Sequence, residues 1–331
     1  MGKSPGYIRK VRYGVQFGFV LLTLFIGYQF YRFVLQFQAG SHPLVQRPPS
    51  VDAFLPIAGL MSVKYFLFTG IVEPVHPAAF IMFVAIVSVS LVMKKGFCGW
   101  ICPIGSLSQV LWMTGEKIFG RNFRIERSAD NVLRSPKYLL MALFLVLIGI
   151  AMAPNMMVLF FITDYYKTAD VRTMQFFTEM STATMWVLVA LGGLSLLYKN
   201  FWCRYLCPYG ALLGLLSCGS PVKVRRDDRN CVHCRACSTS CPGLIDVEKK
   251  AVVSSPECFG CLTCVSSCPS PGALEVTLVS GKNRKVFKPL LYPLVLVALL
   301  YLIIAIGMVT GNWHSQLPIE EYGRLLQELV K

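Results

Sequence analysis

One cysteine pattern, present twice, constrains this chain more than any other feature of its sequence. The first copy reads Cys231-x-x-Cys234-x-x-Cys237-x-x-x-Cys241-Pro242, and the second repeats the spacing with Cys258, Cys261, Cys264, Cys268 and Pro269. Three closely spaced thiolates bind one face of a [4Fe–4S] cluster, and in paired runs the fourth cysteine ligates the other cluster. The spacing therefore predicts two [4Fe–4S] clusters. The expected ligands are Cys231, Cys234, Cys237 and Cys268 for the first cluster, and Cys258, Cys261, Cys264 and Cys241 for the second.

Zinc ribbons and disulfide frameworks also use closely spaced cysteines. Zinc sites usually pair two CxxC knuckles, and a disulfide framework needs no strict double repeat. With 13 cysteines in 331 residues, the chain is also too poor in cysteine for a secreted disulfide scaffold. Because clusters on thiolates survive in reducing surroundings, we expect the paired runs to lie in the cytoplasm.

The composition predicts a membrane protein. Hydrophobic residues make up 55% of the chain and charged residues only 15%, whereas a soluble domain carries about 25% charged residues. The apolar run after the basic N-terminus is too long for a signal peptide, so we expect an uncleaved first span. A stretch at 51–75, which contains charges, prolines and glycines, is interpreted as interfacial or re-entrant. Apolar runs predict about five transmembrane helices, near residues 13–37, 77–93, 138–153, 182–197 and 289–310.

The net charge of +15 is unevenly distributed along the chain. Most Lys and Arg residues fall at the N-terminus, between the second and third predicted spans, and around the paired cysteine runs. Positive charge marks the cytoplasmic side of a membrane protein. We therefore expect the N-terminus and the paired runs to lie in the cytoplasm, with the C-terminal tail outside a bacterial-type cytoplasmic (inner) membrane. The basic charge then reports topology and contact with anionic membrane lipid, and nucleic acid is not expected as a partner.

The predicted fold is a polytopic α-helical membrane protein with an inserted small α+β ferredoxin domain of the bacterial 2[4Fe–4S] type. Short β-prone runs at 222–225, 252–253 and 274–279 fit the small paired strands of such a domain. A domain of this size has a marginal hydrophobic core, so cluster binding is expected to supply much of its stability. The predicted parts are a membrane domain at 1–221, the ferredoxin domain at 222–280, and a fifth span with a short outside tail at 281–331.

A second cysteine motif also occurs twice, as Cys98-x-x-x-Cys102-Pro103 and Cys203-x-x-x-Cys207-Pro208. Each copy follows a predicted span that runs inward, which indicates a duplicated two-span unit with both halves in the same orientation. Parallel repeats are related by an axis along the membrane normal, so we expect the two motifs to meet at the cytoplasmic face. A proline after the second cysteine suits a helix start, where backbone N–H groups and the helix dipole favour a thiolate.

The chemistry of this second cysteine group stays open at the level of sequence. We expect Cys98, Cys102, Cys203 and Cys207 to converge as a redox or metal site, which would be an additional cluster, a copper site or a reversible dithiol pair. The alternative is that they are buried structural cysteines beside two helix breaks.

The two CxxxCP motifs, followed by the paired cysteine runs, resemble the NapH/MauN-type membrane ferredoxins. The match covers roughly residues 77–280 and includes all eight cluster cysteines and both CxxxCP copies. The same core is similar to the NosR-type and FixG/CcoG-type proteins. The resemblance to the NapH type implies a quinol-dehydrogenase subunit, and the resemblance to the FixG/CcoG type implies an accessory protein for metalloenzymes. The predicted fifth span departs from the NapH type and resembles the FixG/CcoG layout, but the tail after it is too short for the folded C-terminal domain of that type. A long N-terminal flavin domain of the NosR kind is also not expected.

Histidines offer little support for haem. His42, His76 and His314 are predicted outside the cytoplasm, and His233 lies within a cysteine run. A transmembrane haem needs facing histidines at membrane depth, and no CxxCH motif is present. His42 and His76, each followed by proline, are interpreted as loop turns.

A few further residues have a structural and a functional interpretation. Glu73, Asp164 and Asp170 are candidates for a quinol pocket, although solvated loop acids are the commoner case. Trp100 and Trp202 are interpreted as interfacial anchors.

The expected function is electron transfer. We expect the chain to act as a subunit of a redox system in preference to a stand-alone enzyme. Electrons would come from quinol or a cytoplasmic donor and reach a partner redox system through the clusters and the CxxxCP site. The expected partners are other redox subunits, the quinone pool and membrane lipid. The alternatives are a cupric or other metal-ion reductase that serves metalloenzyme assembly, and a redox sensor.

Overall fold

The computed structural model of the protein describes residues 6–38, 45–280 and 283–329. It is mostly helical. The helices are α1 Gly6–Gln38, α2 Pro56–Thr69, α3 Pro77–Val92, α4 Gly96–Trp100, α5 Pro103–Phe119, α6 Arg127–Leu133, α7 Ser135–Val146, α8 Pro154–Phe161, α9 Asp164–Lys167, α10 Ala169–Thr178, α11 Thr182–Leu197, α12 Pro208–Leu216, α13 Ala236–Thr239, α14 Thr263–Ser266, α15 Leu291–Val309 and α16 Ile319–Leu329. Short 3-10 helices lie at Pro49–Phe54 and Ser217–Gly219, and π-helical turns at Leu147–Ala151 and Trp202–Leu206.

Within the described residues, three helices are long and apolar enough to cross a membrane: Gly6–Phe37, Ser128–Ala151 and Leu291–Val309. The pair α10 and α11 would make a fourth span, bent by 77°. Helix α3 has only 16 residues, a rise of about 24 Å against the about 30 Å of a bilayer core. The chain is therefore a polytopic helical membrane protein, and the count of five spans stays a prediction.

The chain forms two compact units, and it passes from one to the other within α1, α3, α7, α11 and α15, the helices on which the five predicted spans fall. The first unit comprises residues 1–20, 87–141 and 187–300 and contains every cysteine of the chain. Its sheet consists of β1 Val222–Arg226, β2 Leu274–Ser280 and β3 Asn283–Val286, all antiparallel. The first two strands are the runs predicted at 222–225 and 274–279, whereas the run predicted at 252–253 forms only an isolated bridge between Val252 and Arg225. The third strand lies beyond the predicted domain end at residue 280.

The second unit comprises residues 21–86, 142–186 and 301–331. The segment predicted as a short polar tail contains α16, an amphipathic helix whose Tyr322 and Leu326 are buried against Phe33 and Val34 of α1. Gly323 permits this packing, since a Cβ there would lie 2.8 Å from the ring of Phe37. Apolar residues at positions 319, 322, 326 and 329 show the helical period in the sequence.

Candidate functional site

The two paired cysteine runs, both in the first unit, have the same unusual backbone. His233 and Arg235 adopt left-handed φ values of 52° and 60°, and the equivalent Gly260 and Leu262 have φ values of 60° and 55°. A left-handed conformation costs a non-glycine residue roughly 1–2 kcal/mol. Because the left-handed conformation recurs at the same two positions in both runs, it belongs to the loop shape that places the three thiols of each run.

The fourth cysteine of each run lies with the thiols of the other run. Burial raises the pKa of Cys241 to about 12, and the neighbouring Cys261 and Cys258 contribute to the rise. Cys268 adds to the burial that raises the pKa of Cys237. The structure thus brings Cys241 to the Cys258 group and Cys268 to the Cys231 group, which is the crossed arrangement that the spacing predicts. Ligation itself stays a prediction.

The CxxxCP motifs begin helices at their prolines, as predicted. Pro103 is the first residue of α5 and Pro208 the first residue of α12, so that Cys102 and Cys207 each sit directly before a helix. The Gly210 N–H donates a hydrogen bond to the Cys207 Sγ at 3.2 Å. The first cysteines differ locally, since Cys98 lies in α4 and Cys203 in a π-helical turn.

The four CxxxCP thiols converge. Burial is the largest contribution to the raised pKa of Cys98, and Cys102 and Cys207 add to it. The pKa of Cys203 is likewise raised by burial and then by Cys207, Cys102 and Cys98. The four cysteines therefore form one group, named the quartet below.

Burial outweighs the helix start at the quartet. It raises the pKa of Cys102 to about 11, against the opposing effect of the Gly105 N–H. At Cys102 the N–H groups of the helix start favour the thiolate, as expected, but desolvation disfavours the charged form more strongly.

Two glycines keep space beside the quartet. A Cβ at Gly105 would collide with the carbonyl oxygen of Cys98 and lie 3.7 Å from the Cys102 Cβ, and one at Gly210 would lie 3.4 Å from the Cys207 Sγ. Each glycine occurs three residues after the second cysteine of its motif. Both copies thus leave room at the thiols that a side chain would fill.

Two buried lysines have ammonium groups without a hydrogen-bond partner among the described residues. They are Lys94 and Lys95, and Lys95 is only 1% exposed. The charge of Lys95 opposes the rise in the pKa of both Cys98 and Cys258. A buried cation is costly unless an anion lies beside it. The carboxylate of Glu257 is one anion in the field of Lys95, and a thiolate-ligated iron–sulfur cluster, which is also anionic, fits the same positive charge.

Trp100 connects the first CxxxCP motif to the second cysteine run. It is fully buried, its indole N–H donates to the Gly260 carbonyl at 3.0 Å, and its ring packs against Tyr292 at 5.7 Å. The interpretation of Trp100 as an interfacial anchor is therefore wrong, because the side chain is enclosed within the first unit. Trp202 is 36% exposed.

The second motif contacts the first cysteine run through Arg204. Its guanidinium donates to the Gly243 carbonyl at 2.7 Å and to the Asp130 carboxylate at 2.9 and 2.7 Å. The Tyr205 hydroxyl donates to the same carboxylate at 2.6 Å. Sequence reasoning missed Arg204, although a charge between two cysteines in an apolar segment is a usable signal.

Arg12 of α1 also contacts a cysteine run. Its guanidinium donates to the Thr263 hydroxyl at 2.8 Å and to the Cys261 carbonyl at 3.3 Å. The Thr263 hydroxyl donates in turn to the Cys261 Sγ at 3.3 Å. The sequence showed Arg12 only as part of the basic N-terminus.

The second unit contains a separate buried polar network. Single ligand atoms of Asp52, His76 and Asp170 lie within 4.8 Å of one another, as in a metal site. The Arg47 guanidinium, however, forms ion pairs with both carboxylates and lies 3.2 Å from His76 Nδ1. Arg47 therefore places a cation of the chain itself between these two carboxylates. Although burial opposes protonation, Asp52 raises the pKa of His76 to about 9.

Several sequence interpretations change in this unit. His76 lies in the bend before α3, as predicted for a turn, but it is buried, and its Nε2 donates to the Tyr166 carbonyl at 2.9 Å. Glu73 and Asp170 are buried and not solvated, and Tyr166 donates to Glu73 at 2.9 Å. Exposed positions are occupied by Asp164 and His314, while His42 lies outside the described residues.

Comparison with known protein families matches the same segments. A model described as a 4Fe-4S binding domain matches residues 75–126 and 180–224, and each match contains one CxxxCP motif. A model described as a 4Fe-4S dicluster domain matches residues 223–269, which contain both cysteine runs.

Curated relatives match this chain over different shares of its length. YccM of Escherichia coli K12, named as an electron transport protein, is 38% identical over 96% of this chain and 90% of its own length. The ferredoxin-type protein NapH of the same strain is 24% identical over 52% of this chain and 58% of its own length. The regulatory protein NosR of Stutzerimonas stutzeri is 24% identical over 78% of this chain and 32% of its own length. No solved structure matches the chain.

Proposed function

Because this chain belongs to the NapH/NosR-type family of membrane iron–sulfur proteins, we propose that it relays electrons between quinol, or a cytoplasmic donor, and a partner redox system. Its place in electron transport follows from the 4Fe-4S domains and the relatives. The donor, the acceptor and the cytoplasmic placement of the first unit in an inner membrane are parts of the proposal. The observation that carries it is that one unit contains the two crossed cysteine groups and the quartet.

Each cysteine group holds one redox centre in this proposal. Cys231, Cys234, Cys237 and Cys268 bind one [4Fe–4S] cluster, and Cys258, Cys261, Cys264 and Cys241 bind the other. The quartet binds a further iron–sulfur centre, which is favoured by its match to a 4Fe-4S binding domain. Iron–sulfur clusters supply one-electron transfer when bound.

The protein side chains position these groups against one another. Trp100 fixes the quartet to the loop around Cys258 and Cys261, since its indole bonds the Gly260 carbonyl. Arg204 does the same for the segment after Cys241 through Gly243. Lys95 contributes positive charge to both the quartet and Cys258. These contacts tie the three sites to one another within the first unit.

Reduction in anaerobic membrane vesicles tests the function. A soluble quinol or a reduced flavodoxin is added, and bleaching of the iron–sulfur absorption is followed. We expect donor-dependent bleaching for the wild type and for Cys218→Ser, a matched control outside the three groups, and a smaller amplitude for Cys258→Ser. Absence of bleaching with either donor, while dithionite bleaches the same sample, contradicts the relay.

A metal-ion reductase is the second candidate. It is favoured by helix α15, which follows the cysteine runs as in the FixG/CcoG layout. Cluster-dependent reduction of Cu(II) without added quinone would support this activity. A rate equal to that of the apoprotein would exclude it.

A further inference from the structure

A cavity of about 460 Å³ in the first unit is not used by the relay. Its wall is built from the first turns of α1, the C-terminal half of α5 and the ends of both cysteine runs. Ser240 and Pro242, on either side of Cys241, and Ser267, which precedes Cys268, form one side of it. The cavity therefore adjoins the fourth cysteine of each run.

Cations dominate the charge of this cavity. Arg9, Arg12, Lys117 and Lys199 line it, against the single acid Glu116. Lys199 is only 8% exposed, and among the described residues its ammonium forms no ion pair and lies over the Trp112 ring at 4.7 Å. The carboxylate of Glu116 acts on the Lys199 ammonium from within the same lining, and an anion in the cavity would add to this compensation for burial.

Two buried N–H groups of the lining are also unpartnered. The Trp112 indole N–H and the Arg12 Nε–H have no hydrogen-bond acceptor within the part of the chain that the structure describes. Trp112 is 9% exposed and Arg12 is 3% exposed. Buried donors are normally satisfied, so these two groups indicate an acceptor that the chain itself does not supply. A phosphate group offers several acceptor oxygens together with the negative charge.

The surroundings indicate where that phosphate comes from. Helix α5 exposes Ile104, Leu107, Val110 and Ile118 along one face, as an amphipathic helix in a membrane interface does. Helix α1, which supplies Arg9 and Arg12, is a candidate membrane span. Basic pockets at the ends of membrane helices are where anionic headgroups bind.

We propose that the cavity lined by Arg12, Trp112 and Lys199 binds the phosphate group of an anionic phospholipid. If the proposed function also holds, the bound headgroup lowers the reduction potentials of the neighbouring clusters, because negative charge disfavours an added electron. The lipid site itself does not depend on electron transfer, so the two ideas can fail separately.

Binding of defined lipids to the delipidated full-length protein in detergent tests the proposal. Native mass spectrometry with phosphatidylglycerol, and separately with phosphatidylcholine, gives the affinities. We expect phosphatidylglycerol to bind at least about tenfold more tightly, Lys199→Gln to weaken it about tenfold, and Trp112→Phe to weaken it about fivefold. Lys249→Gln, an exposed lysine outside the cavity, is the charge-matched control and should leave the affinity unchanged.

Three outcomes would overturn the proposal. They are equal affinity for the two lipids, unchanged affinity in both cavity variants, and displacement of phosphatidylglycerol by inorganic phosphate that binds equally well alone. The last outcome would assign the cavity to a soluble phosphate compound. Trp112→Phe keeps an aromatic side chain and removes the indole N–H without changing a charge, so it keeps the test valid if Lys199→Gln reduces iron content.

Discussion

The indole N–H of Trp100 donates a hydrogen bond to the carbonyl oxygen of Gly260 at 3.0 Å, and this bond joins a CxxxCP motif to a cysteine run. Trp100 lies between Cys98 and Cys102, and Gly260 lies between Cys258 and Cys261. A contact two residues from one cysteine group thus ends inside the loop of another.

Trp100→Phe tests this connection. Phenylalanine keeps an aromatic ring but is smaller than the indole and has no N–H, so the Gly260 carbonyl loses its partner at a cost of about 1–3 kcal/mol, and the cavity left at this buried position adds to the loss. We expect earlier thermal loss of the iron–sulfur absorption and slower donor-dependent bleaching. Trp202→Phe, at a partly exposed site, should behave as the wild type. Equal melting curves for the two variants would show that the bond is dispensable.

Lys95→Met tests the role of the buried ammonium. Removing a positive charge beside the quartet and Cys258 disfavours added electrons, so at least one reduction potential should fall by tens of millivolts. EPR-monitored redox titration measures the change. The exposed Lys249→Met carries the same charge change and should leave the potentials in place. If Lys95→Met and Lys249→Met both have the reduction potentials of the wild type, the charge of Lys95 does not influence the clusters.

Gly105→Ala and Gly210→Ala should differ in severity. At Gly105 the added methyl group collides with a backbone carbonyl, whereas at Gly210 it lies 3.4 Å from a sulfur atom, close to ordinary contact. We expect Gly105→Ala to lower stability by roughly 1–3 kcal/mol and to deplete the quartet of iron, with a smaller effect at Gly210. Gly149→Ala, where nothing lies within 4 Å, is the control. Iron analysis and thermal unfolding show which of the two variants is more severely affected. A larger effect at Gly210 than at Gly105 would contradict the close contact between Gly105 and the Cys98 carbonyl.

The stability of the second unit should depend on pH through His76. Its pKa is raised to about 9 by Asp52 despite burial, against about 6.5 in the unfolded chain. The stabilisation, up to roughly 3 kcal/mol, is therefore complete below about pH 6.5 and is lost as pH rises through 9. Arg47, Asp170 and Glu73 also face the imidazole. Thermal unfolding between pH 6 and 10 should show this decline in the wild type and a flatter profile in His76→Gln, and identical profiles would refute it.

Cysteine spacing and proline position were sufficient for the central part of the site. The spacing of the paired cysteine runs predicted that Cys241 and Cys268 each lie with the cysteines of the other run. The two copies of the CxxxCP motif predicted that Cys98 and Cys203 converge. The first prediction follows from local geometry and the second from the symmetry of the duplicated unit. The prolines predicted the helix starts at Pro103 and Pro208. Ordinary β-propensity was enough for β1 and β2.

The residues that the sequence did not reveal depend on partners far along the chain. Arg12 contacts Thr263, Arg204 contacts Gly243, and Asp52 meets Asp170 only after folding. A single sequence shows each as an isolated charge, and isolated charges are commonly solvated. The raised pKa of Cys102 was not predicted for a related reason, since the degree of burial is a property of the assembled unit.

The central claim is that the quartet is a metal-bound redox centre beside the two cluster sites. Its most direct test is anaerobic iron quantitation with EPR redox titration on the wild type, the Cys98, Cys102, Cys203 and Cys207 to Ser variant, and Cys218→Ser. The account predicts that the quartet variant loses about four iron atoms and one titratable centre, while Cys218→Ser retains both. Unchanged iron content and unchanged electron transfer into the remaining clusters in the quartet variant would contradict it.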